Sequence, residues 1–117
     1  MSKRSPITTH ILDTSIGKPV ENMKVKLEFE AKKGKWENLS EETTNGDGRI
    51  ENLLKPGFTV KSGSYRLTFS TLEYFSGNKS KFFYPEITIV FQISDTKAHY
   101  HVPLLLSPYG YSTYRGS

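Results

Sequence analysis

Apolar and polar residues alternate one by one in stretch after stretch of this chain, and that rhythm constrains the fold more than any single motif. Thr9, Ile11 and Asp13 alternate with His10 and Leu12. Val25, Leu27 and Phe29 alternate with Lys24, Lys26, Glu28 and Glu30, and Tyr65, Leu67 and Phe69 alternate with Arg66 and Thr68. The same rhythm returns in Ile87, Ile89, Phe91 and Ile93, and again in Tyr100, Val102, Leu104 and Leu106. A period of two marks a strand with one buried and one wet face. Turn chemistry separates the runs: Gly17-Lys18-Pro19, Lys33-Gly34-Lys35, Asn45-Gly46-Asp47-Gly48, Lys55-Pro56-Gly57, Asp95-Thr96-Lys97 and Ser107-Pro108-Tyr109-Gly110. Short strands at this spacing, without repeated helical patterns, predict an all-β sandwich.

One segment breaks the rhythm. Residues 70–78 carry a hydroxyl N-cap at Ser70, an early Glu73 and a stop at Gly77, which predicts a two-turn helix covering one sheet edge. No internal repeat, low-complexity tract or linker interrupts the chain. At 117 residues it is long enough for one core and too short for two, so 1–117 reads as a single domain.

The formal charge of +4 comes from 16 basic and 12 acidic residues, with the bases scattered among glutamates. No continuous stripe follows a phosphate backbone, which argues against a nucleic-acid partner. Mild basicity still suits an anionic small substrate. The chain has no cysteine, so disulfide and thiolate chemistry are excluded. Met1-Ser2-Lys3-Arg4-Ser5-Pro6 lacks an apolar core and no run reaches transmembrane length, which predicts no secretory leader, no membrane span and a cytoplasmic location.

The alternation also sorts the unusual residues. With Val102, Leu104 and Leu106 inward, His101, Pro103 and Leu105 face out; with Thr9 and Ile11 inward, His10 and Leu12 face out. An outward face carrying Leu12, Pro103, Leu105 and tyrosines is too apolar for plain solvent, and predicts a subunit interface or the wall of a binding channel. His10 and His101 on that face can act as general acid and base near neutral pH; either alone would read as an ordinary surface residue. His99 shares the strand of His101 but follows a turn and reads as a rim residue. Arg49 opens a strand after a glycine-rich turn and can fork onto a carbonyl or anionic oxygen. Asp13 and Asp47 read as turn caps. No His/Asp/Glu cluster has metal spacing, and no Gly-x-Ser-x-Gly elbow or phosphate-binding glycine pattern occurs. Tyr114-Arg115-Gly116-Ser117 ends the chain on an aromatic, a cation and a hydroxyl where most domains fray.

Three pieces carry a resemblance: Thr8-Thr9-His10-Ile11-Leu12-Asp13 with Gly17-Lys18-Pro19; Thr43 through Gly48-Arg49; and Tyr100-His101-Val102-Pro103-Leu104-Leu105-Leu106-Ser107-Pro108 through Tyr111-Ser112-Thr113-Tyr114-Arg115-Gly116-Ser117. Along nearly its whole length the chain resembles the 5-hydroxyisourate hydrolase family, transthyretin-related enzymes of urate catabolism, whose distinguishing ending is Tyr-Arg-Gly-Ser. The resemblance implies a transthyretin-like (prealbumin-like) sandwich of two four-stranded antiparallel sheets with one short helix. One sheet would have strand order D-A-G-H, with D beginning near Arg49, A carrying His10, G carrying His101 and H ending in the tetrapeptide. It implies a homotetramer with 5-hydroxyisourate bound between subunits, and no cofactor. It further implies His10 and His101 as acid and base in either order, and Arg49 as oxyanion stabiliser or ring orienter. Tyr114 would narrow the channel while Arg115, Gly116 and Ser117 close the pocket. Activated water is the expected nucleophile, ahead of Ser117. The rival from another class is a non-enzymatic carrier of an aromatic ligand on the same scaffold. A structural or adhesion sandwich is a third reading, and it leaves the apolar outward face unexplained.

Overall fold

The computed structural model describes residues 5–117. The leader expectation begins at Met1, and Met1–Arg4 lie outside the described residues. The strands are β1 (Ile7–Asp13), β2 (Lys18–Pro19), β3 (Lys24–Lys32), β4 (Lys35–Thr43), β5 (Arg49–Ile50), β6 (Gly63–Phe69), β7 (Ile87–Ile93), β8 (Tyr100–Ser107) and β9 (Gly110–Thr113). The helix α1 (Thr71–Gly77) lies between β6 and β7. One sheet runs β4-β3-β6-β7, antiparallel throughout. The other runs β2-β1-β8-β9, with β5 also on β1.

This second sheet has the implied D-A-G-H order, with two refinements. The D position is shared by two short strands: β2 pairs with Leu12 and Asp13, and β5 with Thr9 and His10. The pairing of β1 with β8 is parallel, from Ile7↔Tyr100 to Asp13↔Leu106, so the sandwich is not antiparallel everywhere. The whole β4-β3-β6-β7 sheet lies between β1 and β8 in sequence, and that long crossover lets the two strands run the same way.

The inward positions of the alternation form the core. Ile7, Ile11, Val25, Leu27, Leu67, Phe69, Ile93 and Leu104 have no exposed surface. The outward faces are more buried than the alternation predicts at Thr8, Glu28 and Pro103. Glu28 is only 7% exposed, because the Arg66 guanidinium grips it with Nε at 2.7 Å and Nη2 at 3.2 Å and itself lies over the Trp36 ring. Pro103, expected outside, is buried. Thr113 at the end of β9 donates its Oγ1 hydroxyl to the Pro103 carbonyl at 2.7 Å, and Gly116 beyond the strand lies so close that a Cβ there would be 3.3 Å from Pro103 Cγ.

The helix begins where expected, but the Ser70 side chain makes no capping hydrogen bond. The next hydroxyl works locally instead: Thr71 Oγ1 donates to the Tyr84 carbonyl. Residue Tyr74 of the helix reaches the other sheet, donating its hydroxyl to Asp13 Oδ2 at 2.6 Å. Burial and this carboxylate push the Tyr74 phenol far up, so it stays a donor. Asp13 Oδ1 meanwhile accepts from the amide and hydroxyl of Ser15, the capping role expected of it. The helix thus joins the two sheets at one end of the sandwich.

Candidate active site

The outer face of the β1–β8 sheet collects the predicted residues through strand register. His10 lies opposite Arg49 on β5. On the other side of β1, Thr8 lies opposite His101 and His10 opposite Pro103. His10 and His101 are therefore one strand and two residues apart on one face, about 8 Å between Cα positions by ordinary strand spacing. All three of His10, Arg49 and His101 are half-buried.

Arg49 owes its place to the turn before it. Asn45 Oδ1 accepts from the amides of Asp47 (2.9 Å) and Arg49 (3.0 Å), and Gly48 N–H donates to the Asn45 carbonyl at 2.9 Å. Gly48 then passes so close to β1 that its carbonyl accepts from Ile11 N–H at 2.8 Å. Its φ is +74°, and a Cβ there would sit 2.5 Å from the Ile11 carbonyl oxygen. Only glycine combines that dihedral with that approach. The tight turn delivers Arg49 directly beside His10.

The electrostatic consequence falls on His10. Burial holds its imidazole below the ordinary histidine value, and the Arg49 cation pushes it further the same way. A hydrogen bond to the Asp47 backbone and the Asp47 carboxylate act in the opposite direction without cancelling the effect. Asp47, expected only as a turn cap, thus bears on the site. A neutral imidazole that donates one N–H to a backbone carbonyl keeps a lone pair on its other nitrogen.

His101 sits in a different network. Its Nδ1 is 2.8 Å from Thr8 Oγ1, and the same hydroxyl is 3.1 Å from Nε2 of His99. The two imidazole rings lie nearly parallel, 13° apart with centroids separated by 6.4 Å. His99 is thus engaged with the site rather than standing on its rim. The sequence carries Thr8 within a matched piece but assigns it no role, and it gives no sign of this bridge. The available signal was parity, since Thr8 precedes His10 by two residues and so shares its face.

The final tetrapeptide divides between two places. Gly116 N–H donates to the His101 carbonyl at 2.8 Å, and a Cβ on Gly116 would lie 2.6 Å from His101 Cδ2. Ser117 joins Thr8, Arg49, Glu51 and His101 around a cleft of about 30 Å³, close to the volume of one water in the liquid. Arg115 turns elsewhere: its guanidinium stacks on the Tyr100 ring at 4.3 Å and Nη2 donates to the His99 carbonyl at 3.2 Å. Tyr114 and Arg115 line a larger hollow of about 310 Å³ with Ile89, Phe91, Tyr100 and Val102. That hollow contains no histidine or carboxylate. Within one chain, then, His10, Arg49, His101, Gly116 and Ser117 come together, and Tyr114 and Arg115 stand behind them. Among the described residues no three histidine or acidic side chains gather to hold a metal, and no helix is long and apolar enough to cross a membrane.

Residues 7–116 match the model of the HIUase/Transthyretin family. The chain is 49% identical over 111 residues to the 5-hydroxyisourate hydrolase of Salmonella dublin, an alignment covering 95% of this chain and 80% of that one. Its fold is similar to that of Klebsiella pneumoniae 5-hydroxyisourate hydrolase, with a TM-score of 0.82, 37% identity, and 95% and 98% of the two chains covered. It is also similar to sea bream transthyretin solved in complex with thyroxine, with a TM-score of 0.88, 29% identity, and 96% and 95% covered.

Proposed function

The chain belongs to the HIUase/Transthyretin family, and from that premise we propose that it hydrolyses 5-hydroxyisourate in urate catabolism, acting in the cytoplasm. The observation that carries the reading is the register that sets His10 against Arg49 and His101 two residues away on the next strand. The ring-opening needs a base for water, an acid for the departing nitrogen and a cation for the developing oxyanion. Held neutral by burial and by Arg49, His10 takes the proton from water. That water attacks the C6 carbonyl, and Arg49 stabilises the oxyanion. As N1–C6 breaks, His101 gives its proton to N1, and the product is 2-oxo-4-hydroxy-4-carboxy-5-ureidoimidazoline. Ser117 hydrogen-bonds the ring, with Gly116 seating it. Arg115 acts from behind, holding the His99–Tyr100 segment in place, and Tyr114 flanks it. A carrier of aromatic ligands, the role suggested by the thyroxine-bound transthyretin, has no need of a depressed histidine beside a cation.

The acid–base assignment has a defined pH signature. Protonated His10 cannot serve as base, so kcat/KM for freshly generated 5-hydroxyisourate, followed spectrophotometrically, is expected to hold through neutral pH. It then falls only below the ordinary histidine value near 6.5. Substituting Arg49→Met removes a positive charge, which lets His10 protonate more readily and moves the acidic limb of the residual activity to higher pH. An acidic limb that stays put in Arg49→Met, or no hydrolysis by the wild type, overturns the corresponding part of the reading.

The cleft on one chain is far smaller than a fused two-ring substrate, and Leu12 and Leu105 lie half-covered on the same outward face. Both observations support a homotetramer, a dimer of dimers closed by two-fold axes, in which a facing copy completes each site. Light scattering at micromolar concentration is expected to give the mass of four chains; a monomer would remove this part of the proposal.

A further inference from the structure

Thr8 is 1% exposed, and its hydroxyl lies between two imidazole nitrogens. It carries one proton, so it donates to one ring and accepts from the other. The two distances distinguish the arrangements. The contact to His101 Nδ1 is 2.8 Å and that to His99 Nε2 is 3.1 Å. Towards an oxygen acceptor, N–H donors make bonds of about 2.9–3.0 Å and hydroxyls shorter ones, so the longer His99 contact suits a ring N–H donating to Thr8 Oγ1 and leaves the hydroxyl proton for His101. The geometry therefore fits Thr8 O–H donating to His101 Nδ1, while His99 Nε2–H donates to Thr8 Oγ1.

We infer that Thr8, held by His99, is a positioning residue that fixes the tautomer of His101. With Nδ1 committed as acceptor, the neutral ring carries its proton on Nε2 and offers that N–H to the departing nitrogen as a hydrogen bond; full transfer to N1 draws on the protonated ring. Left unconstrained, the ring would divide between its tautomers and also rotate about its side-chain bonds. The surroundings reinforce the arrangement. His99 is stacked against His101, and its carbonyl is clamped by Arg115 Nη2 at 3.2 Å. Thr8 itself lies on a strand whose neighbour Thr9 donates its hydroxyl to the Val102 carbonyl at 2.6 Å. The terminal arginine thus contributes to the site through His99 without approaching the cleft. This inference concerns how His101 is held and rests on the hydrolase reading only for its effect on rate.

The test uses the full chain with Thr8→Val, which keeps the shape and removes the hydroxyl, Thr8→Ser, which restores the hydroxyl, and His99→Phe, which keeps a flat ring without nitrogen. Long-range proton–nitrogen spectra of the unliganded protein at about pH 8, where unperturbed imidazoles are neutral, report the His101 tautomer directly. The wild type and Thr8→Ser are expected to show the Nε2–H form, and Thr8→Val a mixture. In a protease triad, where a carboxylate enforces the tautomer, losing that enforcement costs about 10⁴ in kcat; a neutral hydroxyl should enforce less, giving about tenfold to a hundredfold here with little change in KM. His99→Phe should reduce kcat in the same direction, and the Thr8→Val/His99→Phe double variant should be no slower than Thr8→Val alone, since both act through one bond. An Nδ1–H tautomer in the wild type, an unchanged tautomer in Thr8→Val, or additive losses in the double variant would overturn the inference. If the wild type fails to turn over 5-hydroxyisourate, the substrate reading falls, and the spectra still decide the role of Thr8.

Discussion

His10→Asn and His101→Asn should each lower kcat for 5-hydroxyisourate by between about 10² and 10⁴, the range over which a positioned acid or base contributes. The two losses have different origins. In His10→Asn the water loses its base; in His101→Asn the departing nitrogen loses its acid, and the substituted amide can only hydrogen-bond it. Neither side chain fills the core, and both are half-exposed on the outer face of the β1–β8 sheet, so the thermal midpoint should move by only a few degrees. The two variants are best measured in parallel with the wild type, by single-turnover rate and by thermal melt. Rates within threefold of wild type in both, with intact folds, would mean the reacting carbonyl lies elsewhere on the molecule.

Gly116→Ala should cost about as much as removing a reacting group, although it deletes no charge and no hydrogen bond. The added methyl would sit 2.6 Å from His101 Cδ2 and 3.3 Å from both His101 Cγ and Pro103 Cγ. Proline cannot yield, and the His101 backbone is held in a parallel ladder, so the ring must turn or the tail must lift. A displacement of about 1 Å in a reacting group can cost a hundredfold, and that is the expected fall in kcat. The segment is near the surface, so stability should change little. Gly110→Ala is the matching control, because its nearest neighbour would be Ser107 Oγ at 3.8 Å, an ordinary contact. Normal turnover in Gly116→Ala would show that the tail does not rest on His101 in the working protein.

The parity of the strands was the most legible part of this molecule. His10 and His101 fall on one outward face because single-residue alternation leaves no other place for them once Ile11, Val102 and Leu104 are inside. Strand β4 was silent for the same physical reason. Its residues Lys35–Thr43 are exposed or half-exposed along their whole length, so neither face writes an apolar rhythm into the sequence. Strands β2 and β5 are two residues each; the pattern Arg49-Ile50-Glu51-Asn52-Leu53 after the glycine turn marked where β5 starts, but the strand ends at Ile50. The roles within the tail were harder to read. Gly116 pairs with His101, so its neighbour Arg115 must face the other way, but the register of a segment beyond the last strand is set by packing rather than by pattern. The Thr8 bridge was invisible because a threonine beside a strand histidine is an ordinary β residue until the partner strand is known.

The parallel pairing of β1 with β8 has a consequence in time as well as in space. Thr8 and His101 touch although they stand 93 positions apart in sequence, and the antiparallel sheet formed by β3, β4, β6 and β7 is built from the chain between them. Closing a loop that long carries an entropic cost before any contact repays it, and sequence-distant pairings are the slow ones to form. The β3–β4 hairpin, joined through residues 33–34, can form early, whereas β8 can dock on β1 only after nearly all of the intervening chain exists. During synthesis the two histidines therefore meet among the last events of folding, and a nascent chain holds its first strand, with its half of the chemistry, paired on one edge by β2 and β5 and open on the other until β8 has emerged to join it.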